Sequence, residues 1–318
     1  MAKQSPIPSW AEQHVPEQAG KIFLITGANS GIGFEAAKVL AAKGGKVIMA
    51  CRNLAKAEEA RDAIIGAVGA ADIDLIALNL ADLKSVSVCA EKLNQQYERI
   101  DVLINNAGIG WIQRQQTVDG FEMQLGTNHL GHFALTAQLL GLLRKSPDAR
   151  VVSTASLAHW AGKIHFDDLQ LSRKYNGATA YCQSKLANLL FGLELQRQFA
   201  NHTVPIRSII VHPGLSSTSL ANAALAERHA ALVKISERVA PFVSQAPDMG
   251  CLPTLYAATS EQVQGGDYIG PKHLFEIFGP PAKAKIARHA QDPRIAAQLW
   301  AVSESLTGQN YKTALAAI

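Results

Sequence analysis

The sequence predicts a doubly wound α/β fold, a parallel sheet of about seven strands with helices on both faces. Short β-rich runs alternate with helical patterns along most of the 318 residues, and repeated βα units imply a parallel sheet covered by helices. The strand runs are near-continuously apolar, as strands buried on both faces must be.

The first strand, KIFLITG (21–27), ends on glycine and leads into a helical pattern with Phe34, Ala37, Val39 and Leu40, closed by Gly44-Gly45. KVIMACR (46–52) is the second strand, and LAKAEEARDAII forms its helix. DIDLIALNL (72–80) is the third, followed by a helix with Val86, Cys89, Ala90 and Leu93 at helical spacing. DVLINNAG (101–108) is the fourth, followed by a long helix over about 121–145. ARVVSTAS (149–156) is the fifth, with a loop-rich stretch at 157–177 and a helix over about 178–200. PIRSIIVHPG (205–214) is the sixth, and DYIGP (267–271) is a short seventh. No linker divides the chain, so residues 19–318 read as a single domain. Residues 1–18, polar and proline-rich, read as an arm laid over the surface or loose on it. An alanine-rich amphipathic insert at about 216–250 follows the sixth strand. Ligands of open α/β sheets sit beyond the strand C-termini, so this insert is expected to be a lid or substrate wall. An exposed helix pair is the plain alternative.

Hydrophobic residues make up 48% of the chain and charged residues 18%, ample apolar material for a large core and no sign of disorder. The net charge is +4 with Lys and Arg scattered, which argues against a nucleic-acid or polybasic membrane surface and fits an anionic cofactor. The four cysteines, Cys51, Cys89, Cys182 and Cys251, form no CxxC pair and no zinc spacing. With no apolar leader at the start, they read as reduced thiols of a cytoplasmic protein. No apolar run reaches the roughly 18 residues of a membrane-spanning helix.

The first strand runs into Thr26-Gly27-Ala28-Asn29-Ser30-Gly31-Ile32-Gly33. A glycine-rich turn between strand and helix lets the backbone approach a pyrophosphate. It also aims free N–H groups and the positive dipole end at that anion. A tight turn without a ligand is the alternative, and the strand-then-helix context weighs against it. NAD-binding folds carry an acid some 20 residues on, for the ribose 2′-hydroxyl. Here the second strand ends in Cys51-Arg52-Asn53, without a carboxylate. Arg52 would pair with a 2′-phosphate through charge-assisted hydrogen bonds, so NADP(H) is expected over NAD.

Tyr181 and Lys185 fall on a predicted helix, one turn apart on one face. A phenol with a pKa of about 10 is a poor acid–base group at neutral pH, and a neighbouring ammonium lowers that pKa. Tyr-x-x-x-Lys alone is a frequent accident. Here Ser156 stands at the ligand edge of the fifth strand, Asn105-Asn106-Ala107-Gly108 ends the fourth, and Asn128 lies in the next helix. Ser153 sits further back on its strand, and Tyr175 has Thr179, not lysine, four residues on. His129, His132, His159, His165 and His212 show no ligand spacing, so no metal is expected.

In this order, TGANSGIG, NNAG, the strand-end serine, Tyr-x-x-x-Lys and the His212-Pro213-Gly214 turn resemble the short-chain dehydrogenase/reductase family, over about residues 20–270. Ser156-Leu157-Ala158-His159, Ile164-His165-Phe166-Asp167-Asp168-Leu169, and Asp292-Pro293-Arg294 with Gln298-Leu299-Trp300 are similar to its retinol-dehydrogenase-like branch. That branch also resembles light-dependent protochlorophyllide reductases. The gap from Ser156 to Tyr181 is longer than in the commonest members, as it is in this branch.

The resemblance implies a Rossmann-type fold and a set of roles. Tyr181 would be the general acid/base, and Lys185 would lower its pKa and bind the nicotinamide ribose. Ser156 would orient the substrate oxygen, and Asn128 would hold a water linking Lys185 to solvent. Gly27, Gly31 and Gly33, with Asn29 and Ile32 between them, would line the pyrophosphate, with Ser30 donating to it. Arg52 and Asn53 would meet the adenosine phosphate, and Asp82 and Leu83 the adenine. Asn105, Asn106, Ala107 and Gly108 would line the adenosine ribose and neighbouring backbone. Pro213, Gly214, Leu215 and Thr218 would meet the nicotinamide side.

Trp111 and Trp160 lie on loops over the expected active edge and imply an apolar substrate. The expected function is NADP(H)-dependent interconversion of a carbonyl and an alcohol on an apolar small molecule, and the resemblance allows a homo-oligomer. One alternative is a light-dependent double-bond reductase. Another is a non-catalytic NADP(H)-binding regulator, against which stands the complete set of Asn128, Ser156, Tyr181 and Lys185.

Overall fold

Strands β1 (Ile22–Thr26), β2 (Lys46–Cys51), β3 (Ile73–Ala77), β4 (Val102–Asn105), β5 (Ala149–Thr154), β6 (Ile206–Val211), β7 (Tyr268–His273) and β8 (Phe278–Lys283) form one sheet in the order β3-β2-β1-β4-β5-β6-β7-β8. The computed structural model describes residues 7–215 and 245–316. All neighbouring strands run parallel except β8, which is antiparallel to β7.

Among the described residues, the helices of six residues or more are α1 (Ser9–His14), α2 (Gly31–Ala42), α3 (Leu54–Val68), α4 (Leu83–Gln96), α5 (Gly131–Leu143), α6 (Gly177–Asn201), α7 (Leu252–Thr259), α8 (Pro293–Thr307) and α9 (Tyr311–Ala316). Alternate strand residues feed two layers. Phe23, Ile25, Val47 and Met49 pack with α1, α2, α3 and α7. Leu24 and Ile48 pack with α4, α5, α6, α8 and α9 on the other face. Both faces are therefore dry, which is why β1, β2, β4, β5 and β6 read as near-continuous apolar runs, with buried Arg150 of β5 and Ser208 of β6 as polar exceptions. β3, at the edge, is only half-covered.

The eighth strand adds to the expected seven. Its sequence, FGPPAK, carries Pro280 and Pro281 and no alternation, so nothing in it marks a strand. Proline cannot donate to a ladder and is tolerated at an edge, the place β8 occupies. The long helix expected over 121–145 is broken. A single turn, Met123–Leu125, passes into a π-helical turn, Gly126–Leu130, and only then into α5. Gly131 at the join lies against the Leu80 carbonyl with no room for a Cβ.

Residues 7–18 of the expected arm are laid on the surface. Ala11 and Val15 are buried, and Trp10 meets Tyr256 edge-on at 6.3 Å. Most of the insert expected at about 216–250, with Thr218, lies outside the described residues. Its described end, Gln245, donates its backbone N–H to the Leu215 carbonyl at 2.8 Å, beside the exit of β6. Among the described residues, no helix is long and apolar enough to cross a membrane.

Candidate active site

β1 and β4 are neighbours in space although β2 and β3 separate them in the chain. At this reversal of strand order the sheet opens a crevice beyond its C-terminal ends. The glycine loop after β1 occupies one wall. Gly27 and Gly31 take left-handed φ values of 66° and 57°, where an L side chain is strained. A Cβ on Gly33 would sit 2.5 Å from Asn106 Nδ2 and 2.6 Å from the Gly27 carbonyl. The loop is thus drawn tight against the end of β4.

Thr26 makes that join. Its hydroxyl accepts from the backbone N–H groups of Asn106 and Ala107, each at 2.9 Å. It lies 2.9 Å from His132 Nε2, whose Nδ1 is 2.9 Å from the Asn128 carbonyl. A carbonyl only accepts, so His132 carries its proton on Nδ1 and Thr26 donates to Nε2. Asn106 Nδ2 donates to the Thr26 carbonyl at 2.9 Å. Asn105 departs from its expected role as a cofactor contact. It is buried behind the strand end, where its Nδ2 donates to Thr136 at 3.0 Å.

The start of α2 fits an anionic group. Ser30 at its N-cap makes no side-chain cap bond, whereas Asn53, Asp82, Asn176 and Asp292 cap α3, α4, α6 and α8. Uncapped N–H donors, a free hydroxyl and the positive dipole end are what a pyrophosphate requires. Asn29 and Ile32 flank Ser30 and Gly31 in the same turn. Arg52 stands exposed at the end of β2 with no ion pair among the described residues. Asn53 Oδ1 is engaged by Lys56 N–H at 3.0 Å, and Asp82 Oδ1 by Lys84 N–H at 2.9 Å. Leu83 donates its backbone N–H to Asp119. Asn53 and Asp82 therefore have capping duties that account for them without a ligand.

α6 brings Tyr181 and Lys185 beside the end of β5. Lys185 Nζ is 5.9 Å from the Tyr181 ring centroid and donates to the Thr154 carbonyl at 3.1 Å. Lys185 is buried with no carboxylate partner among the described residues, and burial lowers its pKa to about 8. The sequence expectation of a lowered phenol pKa is not met here. Burial pushes Tyr181 up, and its hydrogen bond with Ser156 offsets that only in part. Ser156 Oγ also accepts from Ala158 N–H at 3.2 Å. His159 fixes the Ser156 backbone. Ala287 N–H donates to His159 Nε2 at 3.3 Å, so Nδ1 carries the proton and donates to the Ser156 carbonyl at 2.7 Å.

The π-helical turn delivers Asn128. Its Oδ1 accepts from Ile109 N–H at 2.8 Å, and its Nδ2 donates to the Ile109 carbonyl at 2.8 Å and to Ser184 Oγ at 2.9 Å. Both amide protons are spent on protein, so the side chain ties the loop after β4 to α6 and has none left for a water. Gly108 lies between, where a Cβ would sit 3.4 Å from Lys185 Nζ.

Trp111 is half-exposed, with its ring 5.6 Å from that of Tyr181. Trp160 is also half-exposed but packs at 5.3 Å on His159, not on Tyr181. Gly214 (φ 68°) donates to His212 Nδ1 at 3.2 Å, and together with Pro213 and exposed Leu215 it borders the crevice at the end of β6. Ser153 is buried further back, and Tyr175 bonds to Gln124 and Glu122 away from Lys185. Sequence reasoning missed Thr26, His159 and Gln124. Thr26 and His159 stand inside the motifs quoted above without a role of their own, and Gln124 is marked only as a polar residue inside the run Met123-Gln124-Leu125-Gly126.

This geometry and the sequence agree on a class: the chain belongs to the short-chain dehydrogenase family, whose pattern matches residues 21–229. Within that family it falls in the retinol-dehydrogenase-like branch. It is 40% identical to retinol dehydrogenase 13 of Homo sapiens over 296 residues, covering 91% of this chain and 85% of that one. It is 38% identical to retinol dehydrogenase 11 of Homo sapiens over 291 residues, covering 91% and 86%. A solved structure of an uncharacterized protein from Mycobacterium Paratuberculosis matches with a TM-score of 0.78 and 40% identity, covering 95% of this chain and 98% of that one. The family consists of oxidoreductases that bind a nicotinamide cofactor.

Proposed function

We propose that the protein is an NADP(H)-dependent oxidoreductase that interconverts a carbonyl and an alcohol on an apolar small molecule, with Tyr181 as general acid/base. The observation that carries this reading is the gathering of Ser156, Tyr181 and buried Lys185 at one sheet edge, across from an uncapped helix start.

The nicotinamide, when bound, supplies or takes the hydride. Ser30 and the first N–H groups of α2 would hold the pyrophosphate, and Arg52 would pair with a 2′-phosphate. Lys185 has one proton committed to Thr154, and the others would be free for the nicotinamide ribose. Ser156 holds the substrate oxygen beside the phenol. With its pKa raised, Tyr181 is protonated at neutral pH and is ready to donate to that oxygen as it becomes an alkoxide. Lys185, charged below its pKa of about 8, stabilises the phenolate left behind. In oxidation the same groups run in reverse. Trp111 supplies an apolar wall next to Tyr181. The names of the relatives put retinal and retinol on the panel of carbonyls and alcohols to be tried.

The test is calorimetric binding of NADPH and NADH to the wild type and to Arg52→Ala, followed by NADPH oxidation with apolar aldehydes and ketones. The expected result is a clear preference for NADPH that the variant loses. A charge-assisted contact of about 1.5–3 kcal/mol corresponds to roughly 10- to 150-fold in affinity. Equal binding of NADH by the wild type removes the role given to Arg52, and binding of neither removes the enzyme reading.

A further inference from the structure

Trp111 has a left-handed backbone, φ 63°, a conformation that a bulky residue keeps only when its surroundings hold it. The holder is Gln124. It is completely buried, and its Oε1 accepts from the Trp111 N–H at 2.9 Å. Its Nε2 donates to the carbonyl of Gly177, the first residue of the helix that carries Tyr181, at 3.0 Å, and to the Tyr175 hydroxyl at 2.9 Å. That hydroxyl, with one proton to give, lies 3.1 Å from Glu122 Oε1 and 3.2 Å from the Ile112 carbonyl, its alternative acceptors. Gly177 leaves no gap in the seam, since a Cβ there would sit 2.5 Å from the Ile112 carbonyl. A buried carboxamide is costly unless its donors and acceptor are met. Here they are met, by the loop that carries Trp111, by the catalytic helix and by Tyr175.

We propose that Gln124 is a positioning residue that locks Trp111 over Tyr181 and so fixes the apolar wall of the substrate site. The clamp stands on geometry alone; its effect on substrate rests on the function proposed above. Gln124 acts through Trp111, which separates this role from a general contribution to folding.

The test uses the full chain labelled with 5-fluorotryptophan. Its four tryptophans give fluorine resonances assigned by single Trp→Phe substitutions. In Gln124→Ala the Trp111 resonance is expected to move while that of Trp300, buried in the core, stays in place. Tyr175→Phe, a smaller perturbation, is expected to move the Trp111 resonance in the same direction. An unmoved Trp111 resonance, or a Trp300 resonance that moves as far, overturns the proposal. In the kinetic arm, with decanal and NADPH, Gln124→Ala raises KM about tenfold with little change in kcat or in NADPH affinity. That effect disappears in a Trp111→Ala background, as coupled residues require. A full-sized effect in that background also overturns the proposal. If the wild type reduces no carbonyl, the proposed function fails, and the fluorine spectra still decide the clamp.

Discussion

Two burial effects set the chemistry at the scale of single residues. Tyr181 has its pKa raised and Lys185 has its pKa lowered to about 8, and desolvation is the largest cause of each. The phenol therefore starts protonated, the state reduction requires, and the ammonium is the group that titrates near neutrality. Tyr181→Phe is expected to lower kcat by roughly 10²- to 10⁴-fold, the range for losing a general acid, with NADPH affinity nearly unchanged. A kinetic and calorimetric pair of measurements checks both halves. Reductive kcat is expected to fall above about pH 8 as Lys185 loses its charge. In Lys185→Arg that alkaline limb should move upward, because a guanidinium stays charged. A limb that does not move would remove Lys185 as its source. Tyr181, Lys185 and Ser156 were legible in the sequence from their spacing and from strand and helix context. Their protonation was not, because the sequence displays the neighbouring charge and hides the loss of water.

At the scale of elements, the segment after β4 decides the site. The π-helical turn Gly126–Leu130 places Asn128 where Ile109 and Ser184 engage all its amide protons, in keeping with the association of such turns with functional sites. The sequence shows a helix here because a single π turn of five residues, set between α-helical turns, is too short to leave a period of its own. At the head of α6, Asn176 Oδ1 accepts from Ala178 N–H at 2.9 Å and Thr179 N–H at 3.2 Å. Asn176→Ala is expected to cost about 1 kcal/mol, the usual value of an N-cap, read as a lower urea midpoint with unchanged slope. A loss well above that would mean that Asn176 does more than cap.

For the whole molecule, buried histidines couple stability to pH. His129 and His132 are buried, His129 against the rings of Phe133 and Phe191, and burial lowers their pKa values to about 3 and about 4. In the unfolded chain a histidine titrates near 6.5. The unfolded state then binds more protons than the native state between these values, so stability is complete above about pH 6.5 and declines as pH falls below it. At pH 5 the loss is about 2 kcal/mol for each histidine, and denaturant titrations at pH 7 and pH 5 read it. His129→Gln is expected to flatten that dependence. A pH 5 loss of the same size in this variant would assign the effect to other groups.

The sequence by itself determined the parallel sheet, because strands dry on both faces must be apolar over most of their length. It also determined the glycine loop and the Tyr181–Lys185 pair, whose positions follow from local geometry. Only the tertiary structure decided the rest. It paired proline-bearing β8 at the open edge, where a missing N–H does no harm. It turned Asn105 inward to Thr136 and brought Gln124 of one segment to Trp111 and Gly177 of two others. Those contacts join residues that no local period links. They hold because buried polar groups must find partners wherever the chain, once packed, brings them.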